Sequence, residues 1–180
     1  MDNLPEENYS QAFPGDTRPS LPLVGDERAL LTAFLDHHRA TFELKCAGLT
    51  REQLSTPAIA PSDLTLHGIL RHLAAVERWW FAIQFAGQDL PMLFYSDDDP
   101  DQDFEHLDGD PAQALAVWHA ECARSRAITE AASLEATGTE IRTGNPISLR
   151  RILIHMLAEY ARHNGHADLL RERLDGATGY

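Results

Sequence analysis

The chain has 180 residues, 43% of them apolar, which is enough for one domain with a hydrophobic core. Its net charge of -13, from 28 acidic and 15 basic residues, argues against nucleic acid and anionic membrane surfaces as partners, because phosphate groups require a basic face. The amino terminus has no signal-peptide pattern, and no stretch approaches the roughly 18 apolar residues of a membrane span. We therefore expect a cytoplasmic protein.

Residues 1–25 contain four prolines and little apolar periodicity, and we expect them to form an extended arm. Residues 26–180 are predicted to form a single domain. Its first helix is predicted from about Asp26, a good N-cap, to Cys46, with Gly48 as the stop signal.

The second helix is predicted from about Leu66 to Phe85, with Thr65 as its cap. A long connection follows, from about Gln88 to Asp110, and it contains an acidic run. The acids of this run are Asp97, Asp98, Asp99, Asp101, Asp103 and Glu105. Because the run lacks the glycine of a helix-loop-helix calcium site, we interpret it as a solvated loop.

The third helix is predicted to begin at Asp110 and Pro111, a strong start signal, and to run to about Glu135. Residues 144–146, Gly-Asn-Pro, predict a turn. No segment has the alternating pattern of a strand. Two cysteines are too few for a disulfide framework, and the helical patterns around them predict small buried residues. They are Cys46 and Cys122.

The fourth helix is predicted from its cap Ser148 to about Leu174, with Gly176 beyond it. Four amphipathic helices of about 20 residues predict an all-α, antiparallel four-helix bundle with one or two long crossover connections. Helical faces left over after the bundle packs would be free to form a homodimer.

On a helical wheel, four ionisable side chains of the fourth helix fall in the arc predicted to face the core. They are His155, Glu159, His163 and His166. A buried carboxylate without a partner loses several kcal/mol of hydration, which a bound cation would restore. Glu159 and His163 are four residues apart, so both can reach the same ion.

The second helix supplies a third candidate ligand, His72, which adjoins the apolar stripe of that helix. Three ligands from facing helices would leave one coordination position open for water or substrate, as in catalytic sites. The set His, His, Glu suits Zn²⁺ best, with Ni²⁺, Fe²⁺ and Mn²⁺ as alternatives. The residues alone leave two other interpretations open: a hydrogen-bonded core histidine at position 72, and a buried ion pair of Glu159 with His163.

Two segments carry a family resemblance. Residues 66–80, LHGILRHLAAVERWW, and residues 154–172, IHMLAEYARHNGHADLLRE, resemble the second and fourth helices of the DinB/YfiT-like superfamily, and with the Asp-Gly at 175–176 most closely its DUF664 branch. The resemblance covers about residues 25–176. It implies the DinB four-helix bundle with a long crossover and a metal held by one histidine of helix two and two residues of helix four.

Carried over residue by residue, the resemblance implies the metal ligands His72, Glu159 and His163. Most of the wider superfamily has histidine where this chain has Glu159, and glutamate there is similar to the mycothiol-dependent maleylpyruvate isomerase branch. Much of it also has glutamine where this chain has His166. That difference leaves His166 open as a fourth ligand, a residue behind the ligands or a proton carrier.

The resemblance also implies a thiol-dependent enzyme that uses a low-molecular-weight thiol such as mycothiol. The expected reaction is a metal-dependent S-transfer, in which the activated thiol attacks a small electrophile and His166 or His155 takes the released proton. Two alternatives stay open at this point. One is a metal-dependent hydrolase or isomerase. The other is a non-enzymatic metal-binding scaffold with a fully coordinated ion.

Overall fold

The computed structural model of the protein describes Arg18 and residues 20–96, 98–99 and 101–179. Most of the predicted arm, residues 1–25, lies outside these described residues. Its described part, Arg18 and residues 20–25, contains no helix or strand. The Arg18 guanidinium donates a hydrogen bond to Thr41 Oγ1 at 2.8 Å.

The described chain is built almost entirely of helices. In chain order the elements are α1 (Glu27–Cys46), α2 (Arg51–Leu54), α3 (Leu66–Glu77), a π-helical segment (Arg78–Phe85), α4 (Gln102–Glu105), α5 (Pro111–Ala131), the strands β1 (Thr137–Thr139) and β2 (Pro146–Ser148), and α6 (Leu149–Asp175). The π-helical segment continues α3, so four long helices form a bundle. The predicted all-α bundle is confirmed, and so is its long crossover, residues 86–110, whose described part contains the short helix α4.

Local signals set the starts of the long helices as the sequence predicted. The carboxylates of Asp26 and Asp110 and the hydroxyl of Ser148 each accept a hydrogen bond from a first-turn amide, at 2.8 to 3.2 Å. These bonds satisfy amides that have no partner within the helix. Gly176 ends α6 with a positive φ of 78°, a conformation that glycine adopts without strain.

Two of the predictions made for the segment before α6 are wrong. Helix α5 ends at Ala131 and not near Glu135, and an antiparallel hairpin of β1 and β2 follows where no strand was expected. Each strand has three residues, which is too short for an alternating pattern to be recognised. The turn predicted at residues 144–146 joins the two strands, and Gly144 has a positive φ of 72° there.

The hairpin packs closely against the π-helical segment. A side-chain carbon at Gly138 would overlap the main chain of Gln84 and Phe85, so only glycine permits this approach. The Gln84 side-chain oxygen accepts a hydrogen bond from the amide of Ile141 at 3.1 Å. Because β2 ends at Ser148, the cap of α6, the hairpin ties the start of α6 to the end of the helix that began as α3.

Helices α1 and α6 lie side by side and run in the same direction. Near their starts, Arg150 forms an ion pair with Glu27 at 2.7 Å. Near their ends, Arg171 donates to the carbonyl oxygen of Lys45 at 3.0 Å. A bundle with two neighbouring parallel helices requires a crossover elsewhere in the chain, which agrees with the long connection between the π-helical segment and α5.

The core contains large apolar and aromatic side chains from all four long helices. Those with no more than 2% exposure include Leu35, Phe42, Ile69, Leu70, Leu73, Phe81, Trp118, Ile152, Met156 and Tyr160. Each contributes about 1.5–3 kcal/mol through burial, so this core dominates the stability of the bundle. Among the described residues, none of the helices has the combined length and apolarity that a bilayer crossing demands.

Candidate metal centre

The buried face of α6 is displaced from the arc that the sequence predicted. Its most buried apolar residues are Leu149, Ile152, Leu153, Met156, Tyr160, Ala167 and Leu170. Of the four ionisable residues expected in the middle of this face, only His163 is buried, while the side chains of His155 and Glu159 keep 25% and 22% of their exposure and His166 is half-buried. The prediction was wrong in this respect. The ionisable arc therefore lies at the edge of the core, partly exposed to solvent.

Two ring contacts show how α6 runs relative to the helix formed by α3 and its π-helical continuation. The ring centroids of His72 and His163 are 4.8 Å apart. Eight residues after His72, the ring centroid of Trp80 lies 4.4 Å from that of His155. Since His155 precedes His163 in α6 while Trp80 follows His72, the two helices are antiparallel. The predicted site residues of both helices therefore lie along one line of contact between them.

The structure brings His72, Glu159 and His163 together. One potential ligand atom from each residue lies within 4.8 Å of the other two. His163 Nε2 and Glu159 Oε2 are 3.8 Å apart, which is too long for a hydrogen bond. Two ligands bound at about 2.1 Å to one tetrahedral ion stand about 3.4 Å apart, so this spacing fits ligands around a shared cation.

His163 is in the chemical state that metal binding requires. Burial, together with the neighbouring rings of His72 and His166, lowers the pKa of His163 to about 3. The imidazole is therefore neutral at physiological pH and offers a lone pair. Its Nδ1 is buried and has no hydrogen-bond partner among the described residues. No described residue therefore forms a hydrogen bond to this nitrogen.

His72 has a partner that the sequence analysis missed. Its Nδ1 lies 2.8 Å from Oδ2 of Asp103, a residue of α4 that is only 2% exposed. Our interpretation of the acidic run as a solvated loop is therefore wrong for Asp103. The neighbouring Phe104 stacks on the His72 ring at 4.9 Å between centroids. This single apolar residue within the acidic run was the available signal that α4 packs inward.

The two predicted proton carriers border the group of three but do not belong to it. His155 Nε2 lies 3.8 Å from Glu159 Oε1, and burial lowers the pKa of His155. The His166 ring centroid is 5.3 Å from that of His163, and its Nδ1 is buried without a hydrogen-bond partner among the described residues. Each of these histidines is therefore within one helical turn of a candidate ligand.

A second polar cluster connects the same helices deeper in the core, and we call it the Glu77 network. The Arg39 guanidinium donates to both carboxylate oxygens of Glu77, at 2.8 and 2.7 Å. Tyr160 donates its hydroxyl proton to Glu77 and accepts one from the Trp118 indole, both at 2.8 Å. The Cys122 thiol completes the cluster at 3.7 Å from Glu77. Every charge here has a partner within the protein.

The composition of the group of three fits a divalent cation. Two imidazoles and one carboxylate are good ligands for Zn²⁺ and for neighbouring transition metals. The group is partly exposed at His72 and Glu159, so a cation bound there would keep a coordination position on the solvent side. Such a position is what distinguishes catalytic from structural metal sites.

An all-α bundle with a long crossover and a His/Glu/His group between its second and fourth long helices defines a DinB-like protein. The family model of the mycothiol-S-transferases matches residues 30–176, and the chain belongs to this DinB-like family. A crystal structure described as the conserved protein of locus from Enterococcus faecalis has the same fold. It is similar with a TM-score of 0.63 and 17% identity over 86% of this chain and 100% of that one. A comparison with curated proteins gave no match.

Proposed function

We propose that the protein is a metal-dependent thiol transferase, which joins a low-molecular-weight thiol of the mycothiol type to a small electrophile. The observation that carries the proposal is the convergence of three potential ligand atoms within 4.8 Å, from His72, Glu159 and His163. Membership of the mycothiol-S-transferase family supports a thiol as cosubstrate. Zn²⁺ is the metal that suits this ligand set best, with Ni²⁺, Fe²⁺ and Mn²⁺ as alternatives.

The thiol has to come from a cosubstrate, since neither cysteine of the chain can serve as the nucleophile. Cys46 and Cys122 are both buried. Burial raises the pKa of the Cys46 thiol to about 12 and that of Cys122 well above its ordinary range. A reactive cysteine needs the opposite, a lowered pKa and an exposed sulfur. A small thiol of the reducing cytoplasm has an exposed sulfur, and a bound metal ion would lower its pKa.

A divalent ion held by the three side chains supplies the chemistry that the thiol needs, because it lowers the pKa of a bound sulfhydryl and yields a thiolate at neutral pH. The role of the surrounding residues follows from their charge. Burial lowers the pKa of His155, so this imidazole is uncharged at neutral pH and can accept the proton that the thiol releases. His166, beside His163, is the second candidate for this step.

The ligand assignment is tested by the metal content of the purified protein and of a His72→Ala variant. We expect about one equivalent of metal in the wild type and a large loss in the variant, because only two ligands remain. His119→Ala, which removes an exposed histidine paired with Glu43 outside the site, serves as the matched control and is expected to keep its metal. Equal metal in the wild type and in His72→Ala would remove His72 from the site.

The activity is tested with metal-loaded protein, mycothiol and the electrophile monochlorobimane. We expect thioether formation above the chemical background, abolished by a chelator and in Glu159→Gln. Omitting the thiol separates the alternatives, because a hydrolase that activates water turns over its ester or amide substrate without any thiol. Metal-loaded protein with no conjugation above background would contradict the transferase.

A further inference from the structure

We propose that Asp103 is a positioning residue that holds the His72 ring in the tautomer and orientation required for metal binding, an inference that rests on the proposed function. The crossover, and not the bundle itself, supplies this residue. Asp103 lies in the four-residue helix α4, 31 residues beyond His72, and its Oδ2 is 2.8 Å from His72 Nδ1.

Helix α4 is held in place by its packing on α3. Phe104 stacks on His72 with an angle of 29° between the ring planes. At Gly68, one turn before His72, a side-chain carbon would lie 3.2 to 3.3 Å from Phe104, so the small residue allows α4 to approach α3 closely. Asp103 is therefore held against His72 by its place in α4 and by the packing of the adjacent Phe104.

The hydrogen bond decides which nitrogen of His72 can bind a metal. A carboxylate only accepts hydrogen bonds, so the proton must be on His72 Nδ1 when this nitrogen bonds to Asp103. The lone pair is then on Nε2, the one nitrogen of His72 that remains able to bind a cation. Such carboxylate–histidine pairs fix the ring and raise the basicity of the ligand in metal sites.

The cost of burying Asp103 also favours a role at the site over a role in stability. Its second oxygen, Oδ1, is buried and has no hydrogen-bond partner among the described residues. The neighbouring Arg71 donates instead to the carbonyl oxygen of His106 and forms no hydrogen bond to Asp103. A half-satisfied buried carboxylate costs free energy. Replacing Asp103 removes this cost together with its attraction to Arg71 and its bond to His72, so we expect only a small change in the stability of the metal-free fold.

Two variants of Asp103 and one control test the inference. Asp103→Ala removes the acceptor, whereas Asp103→Asn keeps an oxygen that can accept from His72 Nδ1. The control is Asp101→Ala, which removes one negative charge from an exposed residue adjoining α4 that makes no side-chain cap bond. The measurements are zinc affinity by chelator competition, the visible spectrum of the Co²⁺ form, and the ¹⁵N shifts of the His72 ring in metal-free protein.

We expect Asp103→Ala to weaken zinc binding by about 10- to 100-fold, to alter the Co²⁺ spectrum and to shift His72 away from the Nδ1–H tautomer. Asp103→Asn should recover most of the affinity and the wild-type tautomer. Asp101→Ala should match the wild type. Unchanged affinity and tautomer in Asp103→Ala, or an equal loss in Asp101→Ala, would overturn the inference. If the wild type binds none of Zn²⁺, Ni²⁺, Fe²⁺ and Mn²⁺, the proposed function fails, while the ¹⁵N shifts still decide the role of Asp103 in the tautomer.

Discussion

The Glu77 network and the group formed by His72, Glu159 and His163 lie between the same helices, α3 and α6, and differ in how their polar atoms are satisfied. In the Glu77 network, both carboxylate oxygens accept hydrogen bonds from Arg39 and one also accepts a bond from Tyr160. In the group of three, the Glu159 carboxylate and the His163 imidazole are 3.8 Å apart, and no hydrogen bond joins the three side chains.

The difference separates a polar cluster whose charges are paired within the protein from the candidate metal-binding group. The Glu77 network neutralises its own charge and needs nothing from outside. The group of three brings ligand atoms within 4.8 Å of one another without a hydrogen bond between them, an arrangement that a cation would stabilise. Adjacent residues of α6, Glu159 and Tyr160, belong to different clusters, so single substitutions can separate the two roles.

The largest expected effect concerns the Glu77 network. Arg39→Met leaves the fully buried carboxylate of Glu77 without its counter-charge, and we expect unfolding to become easier by about 3–5 kcal/mol. Urea titration of the metal-free protein measures the change. Arg126→Met is the matched control, since this exposed arginine pairs with Asp36 and should cost less than about 1 kcal/mol. Similar losses in both variants would refute the distinction.

The next effect concerns the group of three. Zinc at about 100 times its dissociation constant should stabilise the wild type by about 2.7 kcal/mol, because only the folded chain assembles the site. Glu159→Gln should respond far less at the same zinc concentration, while its metal-free stability should stay within about 1 kcal/mol of the wild type. Thermal unfolding with zinc and with a chelator measures both. A metal-independent loss of stability in Glu159→Gln would assign this carboxylate a structural role.

Tyr160→Phe gives the converse result. The substitution removes one donor to Glu77 and leaves the Trp118 indole without its acceptor, so we expect a loss of about 1–3 kcal/mol. Zinc affinity should be unchanged, although Glu159 is the preceding residue. Denaturant unfolding and chelator competition on the same preparation provide the comparison. Weaker zinc binding together with the lost stability would mean that the two clusters are coupled.

The last prediction is the contribution that His67, which lies outside both clusters, makes to the pH dependence of stability; His163, with its pKa lowered to about 3, contributes to the same fall. Burial, with the nearby charge of Arg71, lowers the pKa of His67 to about 4. Below its ordinary pKa of about 6.5, the unfolded chain binds a proton that the folded chain rejects, so stability falls as the pH drops from about 6.5 towards 4, by at most about 1.4 kcal/mol per pH unit for this residue. His67→Gln should flatten the fall in metal-free urea titrations. An unchanged slope would contradict this origin.

Local signals made much of the fold predictable. Asp26, Asp110 and Ser148 mark helix starts because a cap acts on amides only two or three residues away. The convergence of Glu159 and His163 follows from the helical repeat alone. The π-helical segment was not predictable, since its wider turns depend on packing that a local pattern does not record.

Asp103 was hidden for a different reason. The acidic run contains several equivalent carboxylates, and a helix of four residues is too short to have a periodicity that distinguishes its buried side. Only the contact of α4 with α3 selects Asp103 from the run. The same limit applies to the core face of α6. The helical wheel placed the ionisable arc at the centre of this face because a wheel holds no information on the neighbouring helices that bury Met156 and Tyr160.

The close approach at Gly138 sets the axial height of α6 in the bundle. A helix can slide along its neighbours at modest cost when only apolar surfaces meet. Here the hairpin is in close contact with the main chain of the π-helical segment, and α6 begins directly after the hairpin, so α6 cannot slide freely. A slide by one residue would move Glu159 and His163 about 1.5 Å along the axis relative to His72. A glycine without any reactive group thus acts as the spacer that aligns the two halves of the site.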